Sequence, residues 1–187
     1  MGVWQGQAAD KAMRNRLLGE AVAVAKIVKP ELIKELTFTR GDYNNPAYQE
    51  IRRQMIDFGK TAGLKSIYSQ TLRNDLILFG PENIATNSPM ASQPGTVYKE
   101  YPPENMNVFR TGEPATCGPY HDEYGSFVSA FAPVKDPPTG NILLVVGVDQ
   151  DAKNWGATLW KLRLVPVLIS VVVAMLLLFL SWRLAVG

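Results

Sequence analysis

The chain has 187 residues, of which 47% are hydrophobic and 19% charged, with a formal net charge of +2. That size fits one ordinary domain plus an appendage, and the small charge with no dense Lys/Arg run excludes a nucleic-acid-binding surface. A single cysteine excludes an internal disulfide, a Cys-rich zinc module and a CxxC redox motif.

Residues 1–16, MGVWQGQAADKAMRNR, contain no apolar core and so do not form a secretory signal. Gly6 stands where a myristoylation signal needs Ser or Thr. Residues 3–28 predict a long amphipathic helix, because Met13, Leu17, Ala21, Val24 and Val28 recur at three- and four-residue spacing. Leu18, Val22 and Ala25 widen the stripe. Pro30 ends or kinks that helix and starts a short one, PELIKEL. RGDYNNP is turn-rich, with Asn45 as an N-cap and Pro46 as the first helical residue. Tyr48, Ile51, Met55 and Phe58 then form one face of a helix that stops near Gly59 to Gly63.

The period next becomes strand-like. SIYSQTL, DLILF, TVYKEY, GSFVSAFAPV and NILLVVGVD read as the strands of an antiparallel sheet of about five. RND, GPENIATNSPMASQPG and KDPPTG are the turns between them, with residues 89–95 read as a mobile loop. PENMNVFRTG reads as a short helix between strands. DPPTG joins a hairpin of residues 125–134 with 141–149.

From Asp151, which can cap it, a helical pattern returns in DAKNWGATLWKLR, and nothing breaks it before Pro166. Residues 164–182, LVPVLISVVVAMLLLFLSW, carry no charge and are about long enough to cross a bilayer. Trp160 and Trp182 bracket this run, roughly 33 Å apart along a helix. Lys161, Arg163 and Arg183 stand just outside it. The membrane is therefore an expected partner, and the last strand feeds a helix running into it. Taken as a lone C-terminal span preceded by Lys153, Lys161 and Arg163, the pattern is that of a tail anchor with its domain in the cytoplasm.

The nonapeptide CGPYHDEYG, residues 117–125, holds the only cysteine and the only histidine. A Cys117–His121 nucleophile–base pair would need contact in space and an oxyanion hole, and Gly118 and Pro119 read as a loop. His121, Asp122 and Glu123 point in different directions on an extended chain, so a metal would need ligands from elsewhere. Asp149 and Asp151 would suit calcium. CGPYH is not the CxxCH haem signature. The reading adopted has no catalytic residue, no metal and no cofactor, and places this loop at the edge of a small-ligand pocket.

Asp149 ends the apolar strand ILLVVGVD on the same face as Val145 and Gly147. A carboxylate beside a glycine has room for a ligand ammonium or hydroxyl group; the other reading is a cap for the helix starting near Asp151. Phe127, Ser129 and Phe131 share one strand face. Tyr68 shares another with Gln70 and Leu72, and Tyr98 and Tyr101 fall beside the loop. The candidate ligand-binding set is Asp149, Tyr68, Ser129, Phe127, Phe131, Tyr98, Tyr120 and Asp122, the aromatics reading equally well as core. Arg73, in a turn and read as solvated, and Arg110, near a helix end, are the residues that could receive a ligand carboxylate.

The order of elements resembles the Cache (PDC) family, PAS-like extracytoplasmic sensor domains of bacterial histidine kinases, diguanylate cyclases and chemoreceptors. The residues carrying the likeness are SIYSQTLRNDLILFGPEN and the run from PGTVYKEY through GPYHDEYGSFVSAFAPV to VVGVDQDAKNW, within roughly residues 3–163. The resemblance implies an α+β fold: a PAS-like antiparallel sheet with a long N-terminal helix and a C-terminal transmembrane helix. Residues 1–160 would be the sensor, with 1–28 its long helix and 64–150 its sheet and pocket, and 161–187 the juxtamembrane and membrane helix. It implies that Asp149 contacts a ligand amine. It also implies a bacterial inner-membrane protein with a periplasmic sensor, a membrane helix upstream and an output module downstream, of which this sequence is a piece. The expected partners are a small-molecule ligand and a second copy, paired through the Met13, Leu17 and Val24 stripe. Two rivals are an interaction domain without a ligand, and a membrane-anchored enzyme using His121 and Asp122.

Overall fold

The computed structural model describes residues 2–186. In chain order the elements are α1 (Gly2–Ile27), α2 (Pro30–Lys34), a short 3-10 turn (Arg40–Asn44), α3 (Pro46–Ala62), β1 (Ser66–Arg73), β2 (Leu76–Glu82), α4 (Pro103–Thr111), β3 (Ala115–Asp122), β4 (Gly125–Lys135), β5 (Ile142–Asp151) and α5 (Ala152–Val186). The strands form one antiparallel sheet in the order β2-β1-β5-β4-β3. The described residues divide into two compact units, Arg14–Ala152 and a second made of the start of α1 with α5.

In the first unit the helices begin and end where local chemistry says they must. The Asn45 side chain accepts from the Ala47 amide at 2.9 Å and donates to the Glu35 carbonyl at 2.9 Å. Pro46 supplies the first helical φ, and Gly63 ends α3 in the left-handed region at φ 70°. As the sequence implied, Tyr48, Ile51 and Met55 are buried.

Alternation along the strands divides the side chains between two faces. On one, Ile67, Val128, Ala130, Val146 and Val148 are fully buried, and Ile67 lies against Gly59 of α3. The other face carries a core of Tyr68, Ile77, Phe79, Tyr98, Val108, Cys117, Phe131 and Val145. There α4 is joined to β1 by a buried bond, Asn105 Nδ2 to Gln70 Oε1 at 2.7 Å.

Four expectations need correcting. TVYKEY is not a strand: it makes one isolated bridge, Leu78 with Val97, beside β2. ATCGPYHD is one, because a register shift between Cys117 and Tyr120 takes Gly118 and Pro119 out of the β3–β4 ladder without ending it. Of the stripe expected to pair two copies, Leu17 and Val24 are buried within the chain, as are Ala21 and Val28 beside them, and Met13 is half-buried. Arg73 is not simply solvated, since its guanidinium donates to the Thr37 and Leu36 carbonyls at 2.6 and 3.4 Å and lies over the Phe38 ring.

In the second unit α5 runs for 35 residues and continues through Pro166. It is long and apolar enough to cross a membrane. Near its start, Trp155 donates its indole N–H to Asp10 at 2.9 Å. Replacing the cap of α3, Asn45→Ala, is expected to cost about 1 kcal/mol, read as a lower urea midpoint with an unchanged slope.

Candidate functional site

Asp149 lies near the end of β5, opposite Ser66 of β1 and Ser129 of β4. Both neighbours therefore turn their hydroxyls toward its carboxylate. Ser129 Oγ donates to Oδ1 at 2.6 Å, Tyr68 OH donates to the same oxygen at 3.0 Å, and Ser66 Oγ reaches Oδ2 at 3.3 Å. Behind Ser129 stands the Tyr120 hydroxyl at 2.9 Å. Because Ser129 gives its only proton to Asp149, Tyr120 is the donor in that contact. Four of the candidate residues, Asp149, Tyr68, Ser129 and Tyr120, thus form one hydrogen-bonded chain. Three hydroxyls of the sheet thus donate to the Asp149 carboxylate.

Tyr98 and Asp122 make a second pair: the Tyr98 hydroxyl donates to Asp122 Oδ2. Asp122 Oδ1 accepts from the Tyr124 and Gly125 amides at 2.8 and 3.0 Å, which closes the β3–β4 turn. Both aspartates border a small cavity, with Tyr68 and Tyr98 on its wall. Phe127, Ser129, Phe131 and Tyr120 do not line it. Phe131 is core, and the Phe127 ring lies 6.4 Å from that of Tyr120.

Sequence reasoning missed the rest of the wall, which includes Phe79, Glu82, Ser92 and Tyr124. Glu82 had a legible signal. Like Asp149, it is an acid at the end of an apolar run, LILFGPE. Ser92 had none, being one polar residue in an aperiodic loop. That loop, expected to be mobile, is tied at its middle. The Ser92 amide donates to Glu82 Oε1 at 3.0 Å, and its hydroxyl donates to Tyr124 OH at 3.0 Å.

The cavity is about 20 Å³, room for a water molecule rather than for an amino acid. The space expected beside Gly147 is taken: a Cβ there would overlap the Tyr68 ring. Phe79 stands at the centre of the aromatic wall, its ring 5.8, 5.1 and 5.6 Å from those of Tyr68, Tyr98 and Tyr124. These are mostly edge-on contacts, as ring quadrupoles favour.

Burial pushes the Asp149 carboxyl up to about 7, the Ser129 and Tyr68 hydrogen bonds opposing that rise and Asp122 adding to it. Burial likewise raises Glu82 to about 7, opposed by the Ser92 amide and Arg52. Desolvation, with Asp149 nearby, also holds the Tyr68 phenol well above its ordinary value.

The run CGPYHDEYG forms the end of β3 and the turn into β4. Cys117 is buried in β3, and burial pushes its thiol up to about 12, the reverse of what a nucleophile needs. His121 is exposed, with Nδ1 at 3.0 Å from Ser126 Oγ. Among the described residues no three of His, Cys, Asp and Glu gather as a metal site.

No protein-family model and no curated protein matches the sequence. Solved structures do match. The sensory domain of the Campylobacter jejuni chemoreceptor Tlp3 (CcmL) with isoleucine bound aligns at a TM-score of 0.55 and 15% identity, over 84% of this chain and 58% of that one. The ligand-binding domain of the same receptor with L-valine aligns at 0.55 and 16% identity, over 84% and 58%. A further structure of the Tlp3 sensory domain aligns at 0.54 and 16%, over 84% and 59%. This chain thus spans somewhat over half the length of the structures it matches. Their likeness establishes the fold, an α+β domain on a five-stranded antiparallel sheet, which is the fold that the sequence resemblance implied. These three structures are described as sensory or ligand-binding domains of a chemoreceptor.

Two outcomes follow from the packing and protonation of this site. Gly147→Ala should displace the Tyr68 ring, break its bond to Asp149 and cost about 1–3 kcal/mol; Tyr68→Ala in the same chain should recover part of that loss, measured as a double-mutant cycle in urea. Between about pH 4 and 7 the folded state holds a proton on Asp149 that the unfolded chain has released, so this group's contribution to stability is full at low pH and is lost as pH rises through 7. Glu82 acts in the same sense. Asp149→Asn keeps the acceptor oxygen, and should flatten the melting-temperature profile across that window and raise the melting temperature at about pH 8.

Proposed function

We propose that this chain is the small-molecule-sensing part of a membrane signalling protein, its ligand bound at the Asp149 wall and its output carried by α5. The observation that carries the reading is the position of Asp149. A desolvated carboxylate with perturbed ionisation, lining an aromatic cavity, is a binding-site signature. It stands two residues before the end of the strand that leads directly into α5. The structural matches support the sensing role, since those receptor domains are described with isoleucine or valine bound.

In this proposal the small cavity is the unliganded arrangement. A ligand enters when Tyr68 leaves Gly147, or when the loop of residues 83–95 releases Ser92 from Glu82 and Tyr124. Either change alters the hydrogen bonds that hold β5 between β1 and β4, and β5 passes the difference to α5. The ligand shifts the balance only by its differential affinity for the two arrangements. Residues 1–160 are then the sensor and 161–187 the membrane segment, in a bacterial inner membrane with the sensor outside the cytoplasm. Pairing of two copies belongs to the proposal too, through a surface other than the buried stripe of α1.

One observation favours a second reading. The space beside Asp149 is already filled by Tyr68, as it would be in an interaction domain that takes no small ligand. A thermal-shift screen of the full chain in detergent, against amino acids, organic acids, amines and nucleobases, separates the two. A binder at a hundred times its dissociation constant should add about 2.7 kcal/mol of stability, and Asp149→Ala should abolish that gain. A library with no binder at all would favour the interaction domain.

A further inference from the structure

One side of the cavity is closed by a single loop, which contributes Ile84, Met90 and Ser92 to its lining. Both ends of that loop are fixed. At the first, Arg52 of α3 donates to the carbonyls of Glu82 and Ile84, and Asn83 bonds to Ile67 of β1 through its amide and its side chain. At the second, the Gly95 amide donates to the Phe79 carbonyl at 2.8 Å, and the Phe79 amide donates to the Thr96 carbonyl at 2.9 Å. Residues 85–94 between these ends make short-range bonds, Ser88 to Ala85 and Ala91 to Ser88. Among the described residues, their hydrogen bonds to the rest of the domain run through Ser92 alone.

Ser92 is held by Glu82 and Tyr124, and of these Glu82 changes charge near neutrality, burial having raised it to about 7. Residues 85–94 contain no Asp, Glu, Lys, Arg or His, so the loop itself does not titrate. The ionisable groups facing Glu82 are Arg52 and Tyr48 of α3, Asp122 and Tyr124 at the β3–β4 turn, Asp149 of β5, and Tyr68 and Tyr98 across the cavity. Arg52 is the cation among them, and two of its N–H groups are spent on backbone carbonyls. As a neutral acid, Glu82 can sit 4% exposed and still accept the Ser92 amide. As a carboxylate it faces two other acids and needs water. The strands around it are held by their ladders, so the loop, tied at one residue, is the part that can yield.

We propose that residues 85–94 are a proton-operated lid, seated on the cavity while Glu82 is a neutral acid and released at Ser92 when Glu82 is a carboxylate. By linkage, the seated lid keeps a proton that the lifted lid gives up. Seating is therefore favoured at low pH and is lost as pH rises through 7. With Glu82 at about 7 when seated and at its model value of 4.5 when lifted, the lifted-to-seated ratio rises roughly fortyfold between about pH 5 and 7. Whether the lid admits a ligand rests on the sensing function proposed above; its movement does not.

The test is hydrogen exchange followed by NMR on the full chain in detergent micelles, with no ligand present. It runs at about pH 5, 6 and 7, each corrected for the intrinsic exchange rate. Protection of the Ser92 amide should fall about tenfold or more across that range. Amides at the centre of β5 should stay more strongly protected at each pH, the mark of local opening. Glu82→Gln, which keeps an acceptor for the Ser92 amide, should remove the fall. Tyr124→Phe, which takes away the other tie, should lower Ser92 protection by a similar factor at every pH. Ser92 protection that is independent of pH in the unaltered chain overturns the lid, as does a fall that persists in Glu82→Gln. Exchange of Ser92 in step with β5 overturns it too, because that is unfolding of the whole domain. None of these outcomes touches the sensing function, which the ligand screen decides separately.

Discussion

The arrangement of this domain turns on one desolvated carboxylate. Asp149 stands where three strands lie side by side, and its oxygens take hydroxyl protons from the strands on either side. A carboxylate removed from water is tolerable only with such donors, or as its neutral acid. Both remedies are present: three hydroxyls converge on it, and its proton affinity is raised toward neutrality. That pairs the ends of β1, β4 and β5 through side chains as well as through the ladder. It also leaves one oxygen with capacity to spare at the cavity wall.

Gly147 and Tyr68 set the size of that cavity. The ring lies where any side chain on residue 147 would be, so the glycine is what lets Tyr68 reach Asp149. The same contact closes the space that a carboxylate beside a glycine implies from sequence. A void on a strand face is filled by whichever neighbour can reach it, as close packing of interiors requires. Here the neighbour comes from the adjacent strand, directly across the ladder.

Much of this was legible in the residues. The α3 helix could be read from Asn45, Pro46 and Gly63, because capping is local chemistry. The β4–β5 hairpin could be read from DPPTG. Asp149 could be found because an acid ending an apolar run has few bland uses. Other features depend on chain segments far apart in sequence. β3 was hidden because Gly118 and Pro119 signal a turn, whereas a register shift against β4 absorbs them. TVYKEY alternates like a strand yet forms one bridge only. The stripe of α1 was identified correctly as apolar, but periodicity does not say what an apolar face covers. The Glu82–Ser92–Tyr124 latch joins three segments with no common pattern.

The strand order has a consequence for how the domain comes together. The centre of the sheet pairs β1 with β5, so Ser66 meets Asp149 across 83 residues of chain. Contacts of such separation form late and slowly, because loop closure must precede any gain from pairing. During synthesis β1 and β2 emerge as a hairpin whose β1 edge stays open until β5 pairs with it. The next segment made is the apolar α5. Completion of the sheet and emergence of the apolar helix are therefore consecutive events on the ribosome, and a pause between them would leave the edge of β1 unpaired.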